Sequence, residues 1–260
     1  MELNPVQLNF EEHGQGIPVV LLHGFPLDHT IWEPLLSVIK ERARIILPDM
    51  RGHGLSPVTD GAYSMRLMAA DIAALLDRLG IDKAIVVGHS MGGYVGLAFA
   101  QAYPNRLAGL GLIATQAAAD TPEKRHNRLN MADEIGRKGV KHLAEDMSTR
   151  LTTRPELIPS LRTLILKMNP KGAIGALKGM ADRPDMTEFL PSITIPSLVL
   201  AGSDDVMIPI ERPRTMEKML ARAWLVEIPS AGHVPMMEYP QQVAEALDQL
   251  IEGVNGYEQI

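Results

Sequence analysis

Short apolar runs rich in β-branched residues recur along the chain, and amphipathic segments separate them. A run of about four to eight apolar residues between turn residues predicts a buried strand. Six runs of this kind lie at residues 19–22, 44–47, 84–87, 107–114, 197–201 and 224–228. Residues 6–10 have a weaker pattern, which predicts an edge strand at the start of the chain.

Apolar residues at helical spacing separate these runs. Residues 31–42 predict a helix with Thr30 as its N-cap, and residues 64–79 carry a long apolar stripe that ends at Gly80. Further helices are predicted at about 91–103, 212–220 and 241–251. Strands that alternate with helices, and are apolar on both faces, predict an α/β fold with a mainly parallel sheet covered by helices on both faces.

The alternation stops between residues 116 and 191. This stretch is polar, contains methionines and shows helical spacing at about 126–136, 140–151, 155–167 and 171–180, without a buried strand. A helical excursion between two parallel strands predicts a cap over the carboxyl edge of the sheet, where α/β active sites lie. We therefore expect a core domain made of residues 1–115 and 192–260, with a helical cap at 116–191.

Composition narrows the class of protein. The 260 residues carry a net charge of −6, are 46% hydrophobic and include no cysteine. The absence of cysteine excludes disulfides, thiolate metal sites and a cysteine nucleophile. Without a basic run, nucleic acid is not expected as a partner. No signal peptide and no membrane-length apolar run are visible, so we expect a cytoplasmic protein, a monomer or homodimer without membrane contact.

One strand ends in a pattern that carries chemistry. The run at 84–87 leads into Gly88-His89-Ser90-Met91-Gly92, and a helical segment follows. A serine on a tight turn between a strand and a helix presents its hydroxyl as a nucleophile. Small residues two positions on either side relieve the crowding of such a turn, which suits Gly88 and Gly92.

A serine nucleophile needs a base and an acid that orients the base. For a serine on this kind of turn, the acid and then the histidine follow in chain order. His233 follows the last predicted strand, and the acid after the preceding strand is Asp205 or Asp204, of which we favour Asp205. No histidine pair has the spacing of a metal site, so a metal is not expected.

Acyl transfer also needs donors for the oxygen that becomes negative. The N–H of Met91 follows the nucleophile and opens a helix, which favours an anion there. The second donor should come from the loop after an early strand. In His23-Gly24-Phe25-Pro26, Gly24 allows close approach and Pro26 has no N–H, so Phe25 is the candidate.

With these motifs, the chain resembles the α/β-hydrolase superfamily over essentially its whole length. The matching segments are His23-Gly24-Phe25, Asp49-x-Arg51-Gly52-x-Gly54-x-Ser56, Gly88 to Gly93, Gly202-x-x-Asp205-x-x-x-Pro209 and Gly232-His233. The resemblance implies a triad of Ser90, Asp205 and His233, with Phe25 and Met91 as oxyanion donors. It also implies an eight-stranded sheet, with the cap between its sixth and seventh strands, and no cofactor.

The resemblance is to the small serine esterases and lactonases, including 3-oxoadipate enol-lactonase. It implies a small ester as substrate, with a lactone, either an acyl-homoserine lactone or an enol-lactone, as the alternative. A perhydrolase, a carbon–carbon hydrolase and a non-catalytic receptor are further alternatives on the same fold. The predicted pocket residues, besides the cap methionines, are Gly24, Phe25, Trp32, His89, Tyr94 and Val234. No basic cluster is evident for a dicarboxylate, although Arg125, Arg128 and Arg162 lie in the cap.

Overall fold

The structure, a computed structural model, describes residues 4–257, and within them seven strands form one sheet. The strands are β1 (Phe10–His13), β2 (Pro18–Leu22), β3 (Arg44–Pro48), β4 (Ala84–His89), β5 (Leu107–Ile113), β6 (Ser197–Gly202) and β7 (Ala223–Ile228). Their order across the sheet is β1-β3-β2-β4-β5-β6-β7. Neighbouring strands are parallel except for β1, which is antiparallel to β3. The predicted α/β class with a mainly parallel sheet is confirmed.

The resemblance implies eight strands, whereas the described residues form seven, so the expected number of strands is wrong by one. The segment before β1 is not a strand, and two of its N–H groups donate to side chains instead of to a neighbouring strand. The N–H of Val6 donates to Asp71 Oδ1 at 2.8 Å, and that of Asn9 donates to Ser56 Oγ at 2.9 Å. The edge strand therefore begins at Phe10, later than predicted. In this count the helical stretch follows the fifth strand, not the sixth.

Helices cover both faces of the sheet. The core helices are α1 (Glu33–Ile39), α2 (Met65–Arg78), α3 (Met91–Ala102), α8 (Glu211–Met219), α9 (Pro235–Glu238) and α10 (Pro240–Tyr257). Gly109 and Leu110 are neighbours in β5, and neighbouring side chains of a strand point to opposite faces of the sheet. A Cβ on Gly109 would lie 2.7 Å from Val254 of α10, whereas a Cβ on Gly96 of α3 would lie 3.5 Å from Leu110.

The first helix differs from its prediction. A 3-10 turn at His29–Trp32 precedes α1, and its N-cap is Asp28 rather than Thr30. Asp28 Oδ1 accepts from the N–H of Thr30 at 3.0 Å, which satisfies one of the free donors at the start of the turn. Further 3-10 turns lie at Pro104–Arg106, Pro155–Leu157 and Thr187–Ser192.

Four helices lie between β5 and β6: α4 (Pro122–Lys138), α5 (Lys141–Arg150), α6 (Ile158–Leu166) and α7 (Pro170–Ala181). We call this segment, residues 114–196, the helical insertion. It packs directly on the core: the N–H of Tyr63 donates to Gly175 O at 2.9 Å. A Cβ on Gly172 would lie 2.0 Å from Gly52 O, so only glycine allows the two backbones to approach so closely. Among residues 4–257, no helix is long and apolar enough to span a bilayer.

Candidate active site

Ser90 occupies the turn between β4 and α3. Its backbone has φ 51° and ψ −112°, a conformation that residues other than glycine rarely adopt and that marks a strained turn. The turn is also crowded, since a Cβ on Gly88 would lie 2.1 Å from Gly92 O. Thr115 Oγ1 donates to Ser90 O at 2.7 Å and holds the turn from the end of β5. The strained backbone holds the hydroxyl of Ser90 at the carboxyl edge of the sheet.

His233 and Asp205 reach Ser90 from the loops after β7 and β6. His233 Nε2 lies 2.9 Å from Ser90 Oγ, and His233 Nδ1 lies 2.7 Å from Asp205 Oδ2. Asp204 is exposed and accepts instead from Ser203 Oγ at 2.7 Å. The structure thus brings Ser90, His233 and Asp205 into one hydrogen-bonded chain, and Asp204 stands outside it.

The environment of Asp205 favours its ionised form. Burial alone would raise its pKa, but the charge of His233 and the hydrogen bond to it lower the pKa below the usual value. Asp205 Oδ1 also accepts from the N–H groups of Met207 at 2.8 Å and Ile208 at 3.0 Å. A fixed carboxylate holds the proton of His233 on Nδ1, so Nε2 is free to accept from the Ser90 hydroxyl.

The two predicted oxyanion donors come from the residue after Ser90 and from the loop after β2. Met91 begins α3, and Phe25 follows β2. In residues 4–257, neither backbone N–H is bonded to a protein acceptor. Gly24, beside Phe25, is pressed against the turn, because a Cβ on it would lie 2.5 Å from His89 Nδ1 and 3.1 Å from Ser90 Cβ. Two N–H groups without a protein acceptor therefore lie in the residue after Ser90 and in the loop that is pressed against its turn.

A cavity of about 600 Å³ opens over Ser90, between the core and the helical insertion. The core contributes Phe25, Ser90, Tyr94, Met207, Ile208 and His233 to its walls, and the start of the insertion contributes Gln116. The insertion contributes the apolar side chains of Met131, Leu143, Met147, Leu177 and Met180. It also contributes a charged rim of Glu123, Lys124, Arg128, Asp146 and Arg150. An apolar cavity with a few polar groups suits a small organic ligand.

Among the predicted pocket residues, Phe25 and Tyr94 line this cavity. Gly24, Trp32, His89 and Val234 do not. Trp32, His89 and Val234 are fully buried, and Trp32 packs edge-on against His89 with ring centroids 6.5 Å apart. These three side chains are fully buried and do not form part of the wall of this cavity.

Gln116 also lines the cavity, although the sequence did not single it out. It is only 4% exposed, and in the described chain its side chain has no hydrogen-bond partner. Its position just after β5, at the carboxyl edge of the sheet, was the available signal.

The arginines of the insertion also differ from one another. Arg125 pairs with Asp182 and Arg162 with Glu145, while Arg128 lines the cavity.

Three side chains of residues 4–257 lie close enough to share a metal ion, namely Asp28, His29 and Asp49. His29 Nδ1 is bonded to Asp49 Oδ1 at 2.7 Å, and this bond raises the pKa of His29 to about 9. Nε2 of His29 lies 3.4 Å from Glu11 Oε1, so a carboxylate of the protein faces each ring nitrogen of His29. The cluster is better explained as a structural ion pair.

The family model described as alpha/beta hydrolase fold matches residues 17–240. A solved thermophilic esterase from Thermogutta terrifontis, with malate bound, is 42% identical with a TM-score of 0.92, covering 95% of this chain and 93% of that one. The pimeloyl-[acyl-carrier protein] methyl ester esterase of Legionella pneumophila is 28% identical, over 95% of this chain and 100% of that protein. The 3-oxoadipate enol-lactonase 2 of Acinetobacter baylyi is 26% identical, over 96% and 95%.

Proposed function

The chain belongs to the α/β-hydrolase fold family and is a hydrolase, and from this premise we propose that it cleaves small carboxylic esters. The observation that carries the proposal is the hydrogen-bonded chain from Ser90 through His233 to Asp205. The cavity over Ser90 has the size and apolar walls that suit a short or medium acyl or alkyl chain. In this role the helical insertion acts as the cap of the substrate site.

In the proposed mechanism, His233 Nε2 takes the proton of Ser90 as Oγ attacks the ester carbonyl. The oxygen that becomes negative is held by the N–H groups of Phe25 and Met91. His233 then gives its proton to the leaving alkoxide, which departs as the alcohol and leaves an acyl-Ser90 ester. Water, deprotonated by His233, attacks this ester, and the carboxylic acid leaves with Ser90 restored.

The test is hydrolysis of p-nitrophenyl acetate and butyrate by the wild-type protein and by Ser90→Ala. We expect the substitution to lower kcat by about 10⁴-fold or more while the protein stays folded. Ser160→Ala is the matched control, because Ser160 is exposed on α6 and bonds only Leu157 O. Full ester hydrolysis by Ser90→Ala would overturn the proposal.

A second candidate substrate is a lactone or ester that carries a carboxylate, and the position of Arg128 favours it. Arg128 Nε is bonded to Asp120 at 2.5 Å, while Nη1 meets only Met180 Sδ at 3.4 Å, beside the cavity. A guanidinium held in this way can receive a carboxylate. The similar esterase with malate bound and the similar enol-lactonase are consistent with such a ligand.

This candidate is tested by comparing a lactone that bears a carboxylate with its methyl ester. If it is correct, Arg128→Met lowers kcat/KM for the free acid about tenfold or more and changes little for the methyl ester. Arg125→Met is the control, since Arg125 is exposed and bonded to Asp182. Equal losses on both substrates in Arg128→Met would reject a carboxylate-binding role.

A further inference from the structure

The loop that carries His233 is bonded to a carboxylate that the sequence did not single out. Glu238 ends α9 and is 5% exposed. Its Oε2 accepts from the N–H of Gly232, next to His233, at 2.6 Å. Its Oε1 accepts from the N–H of Thr153 at 2.7 Å and from Thr152 Oγ1 at 2.5 Å. One carboxylate thus joins the loop of the base to the helical insertion.

In each of these hydrogen bonds the partner of Glu238 is the donor, so both carboxylate oxygens of Glu238 act as acceptors. The site is also closely fitted around the carboxylate. A Cβ on Gly232 would lie 3.1 Å from Glu238 Oε1 and 3.0 Å from the nitrogen of Thr153. These distances are tighter than most real Cβ contacts, so a side chain at position 232 would require its neighbours to shift by a few tenths of an ångström. An amide side chain at position 238 would turn an NH₂ group toward one of these donors and leave it unpaired.

The backbone of His233 is held by the same neighbourhood. Its N–H donates to Leu151 O, at the end of α5, at 3.0 Å. Residues 151–153 of the insertion therefore bond the histidine directly and its preceding residue through Glu238. The imidazole is carried by this loop, so the two connections that hold the loop also help to place the imidazole against Ser90.

We propose that Glu238 is a positioning residue for His233, which couples the helical insertion to the base of the triad. The inference rests on the proposed function, since it assumes that His233 activates Ser90. It assigns the insertion a second task beyond forming the cavity wall, namely fixing the loop of the base. Displacement of this loop by a fraction of an ångström would impair proton transfer while the substrate cavity stays unchanged.

The test is Glu238→Gln in the full chain, with kcat and KM measured on p-nitrophenyl butyrate and the rate of Ser90 modification measured with diisopropyl fluorophosphate. We expect kcat and the modification rate to fall together by about 10- to 100-fold, with KM changed less than about twofold. Glu245→Gln is the control, because Glu245 is exposed on α10 and bonded only to Gln241. We expect wild-type values for it.

Unchanged kcat and modification rate in folded Glu238→Gln would overturn the proposal, as would losses that match only a smaller folded fraction. If Glu238→Gln does not fold, Thr152→Val decides: a parallel fall of about two- to fivefold in both rates supports coupling, and wild-type rates reject it. The modification rate keeps the two proposals distinguishable. A wild-type protein that reacts with the fluorophosphate but cleaves no ester refutes the ester substrate, and Glu238 is still tested.

Discussion

Nε2 of His89 donates a hydrogen bond to the backbone carbonyl oxygen of His233 at 2.7 Å. Burial, and then the charge of His233, lower the pKa of His89 to about 3, so its ring is neutral and Nε2 carries the proton. His89 therefore braces the loop that carries His233 and does not line the cavity over Ser90.

Replacing His89 by Phe should leave the carbonyl of His233 buried and unpaired. We expect the free energy of unfolding to fall by about 1–3 kcal/mol, with a lower kcat, in urea denaturation and ester assays. His89→Gln retains a donor near the position of Nε2 and should recover part of both losses. Equal effects of Phe and Gln would show that the ring fills space and that the bond contributes nothing.

Asp205 should carry the orientation of His233, and Asp204 should not. In Asp205→Asn the side chain can turn its NH₂ toward Nδ1, which favours the wrong tautomer of the histidine. We expect kcat to fall by about 10³- to 10⁴-fold in ester hydrolysis. Asp204→Asn, which changes an exposed side chain bonded to Ser203, should keep wild-type activity. A large loss in Asp204→Asn with little in Asp205→Asn would reverse the assignment.

The sequence predicted what depends on local pattern. Apolar runs located the strands, and the turn around Ser90 with its two glycines indicated the fold, because these features are set by nearest neighbours. Of the two aspartates, only Asp205 is hydrogen-bonded to His233 in the described chain, and its role as the acid stays a prediction.

Features that depend on distant packing could not be predicted. Trp32 lies just beyond the loop that follows β2, and His89 directly precedes Ser90, so both positions are close to the site. Their side chains are nevertheless fully buried and pack against each other. Glu238 looks like an ordinary polar residue of a short helix, and its partners Thr152 and Thr153 are far away in sequence. Arg128 differs from Arg125 only in what the folded insertion places beside it.

Tyr94 should limit the length of the chain that the site accepts. Together with Gln116 it lines both the cavity over Ser90 and a second cavity of about 740 Å³, and the guanidinium carbon of Arg183 lies 4.2 Å from its ring centroid. Tyr94→Ala should join the two cavities. Each additional buried CH₂ contributes about 0.8 kcal/mol, so kcat/KM should rise about fourfold per methylene for longer p-nitrophenyl esters.

The measurement is kcat/KM along a series from acetate to decanoate, with a parallel series that varies the alcohol. Tyr94→Phe keeps the ring and should retain the wild-type preference. If Tyr94→Ala is folded and active but prefers the same chain length as the wild type, the side chain does not limit the cavity.

The ion pair between His29 and Asp49 should make stability depend on pH. The bond to Asp49 raises the pKa of His29 from 6.5 to about 9. The protonated form is favoured in the native state, so the stabilisation is complete below about pH 6.5 and is lost as the pH rises through 9. We expect the difference in unfolding free energy between wild type and His29→Gln to be larger at pH 6 than at pH 9.5. His126→Gln, exposed on α4, should show no such change, and a constant difference for His29→Gln would refute the role of the pair.

Two glycines near Ser90 should respond in opposite ways to an added methyl group. A Cβ at Gly88 would lie 2.1 Å from Gly92 O, a backbone atom of the strained turn that cannot move aside. Gly88→Ala should therefore lower the unfolding free energy by about 4 kcal/mol or more and abolish ester hydrolysis.

Gly96 lies within α3, where the nearest side-chain atom, Leu110 Cδ1, would be 3.5 Å away, an ordinary contact. Gly96→Ala should raise the unfolding free energy by about 0.5–1 kcal/mol, because alanine loses less backbone entropy in a helix. Urea denaturation measures both, and a destabilised Gly96→Ala would mean that the added methyl group clashes with Leu110 of β5.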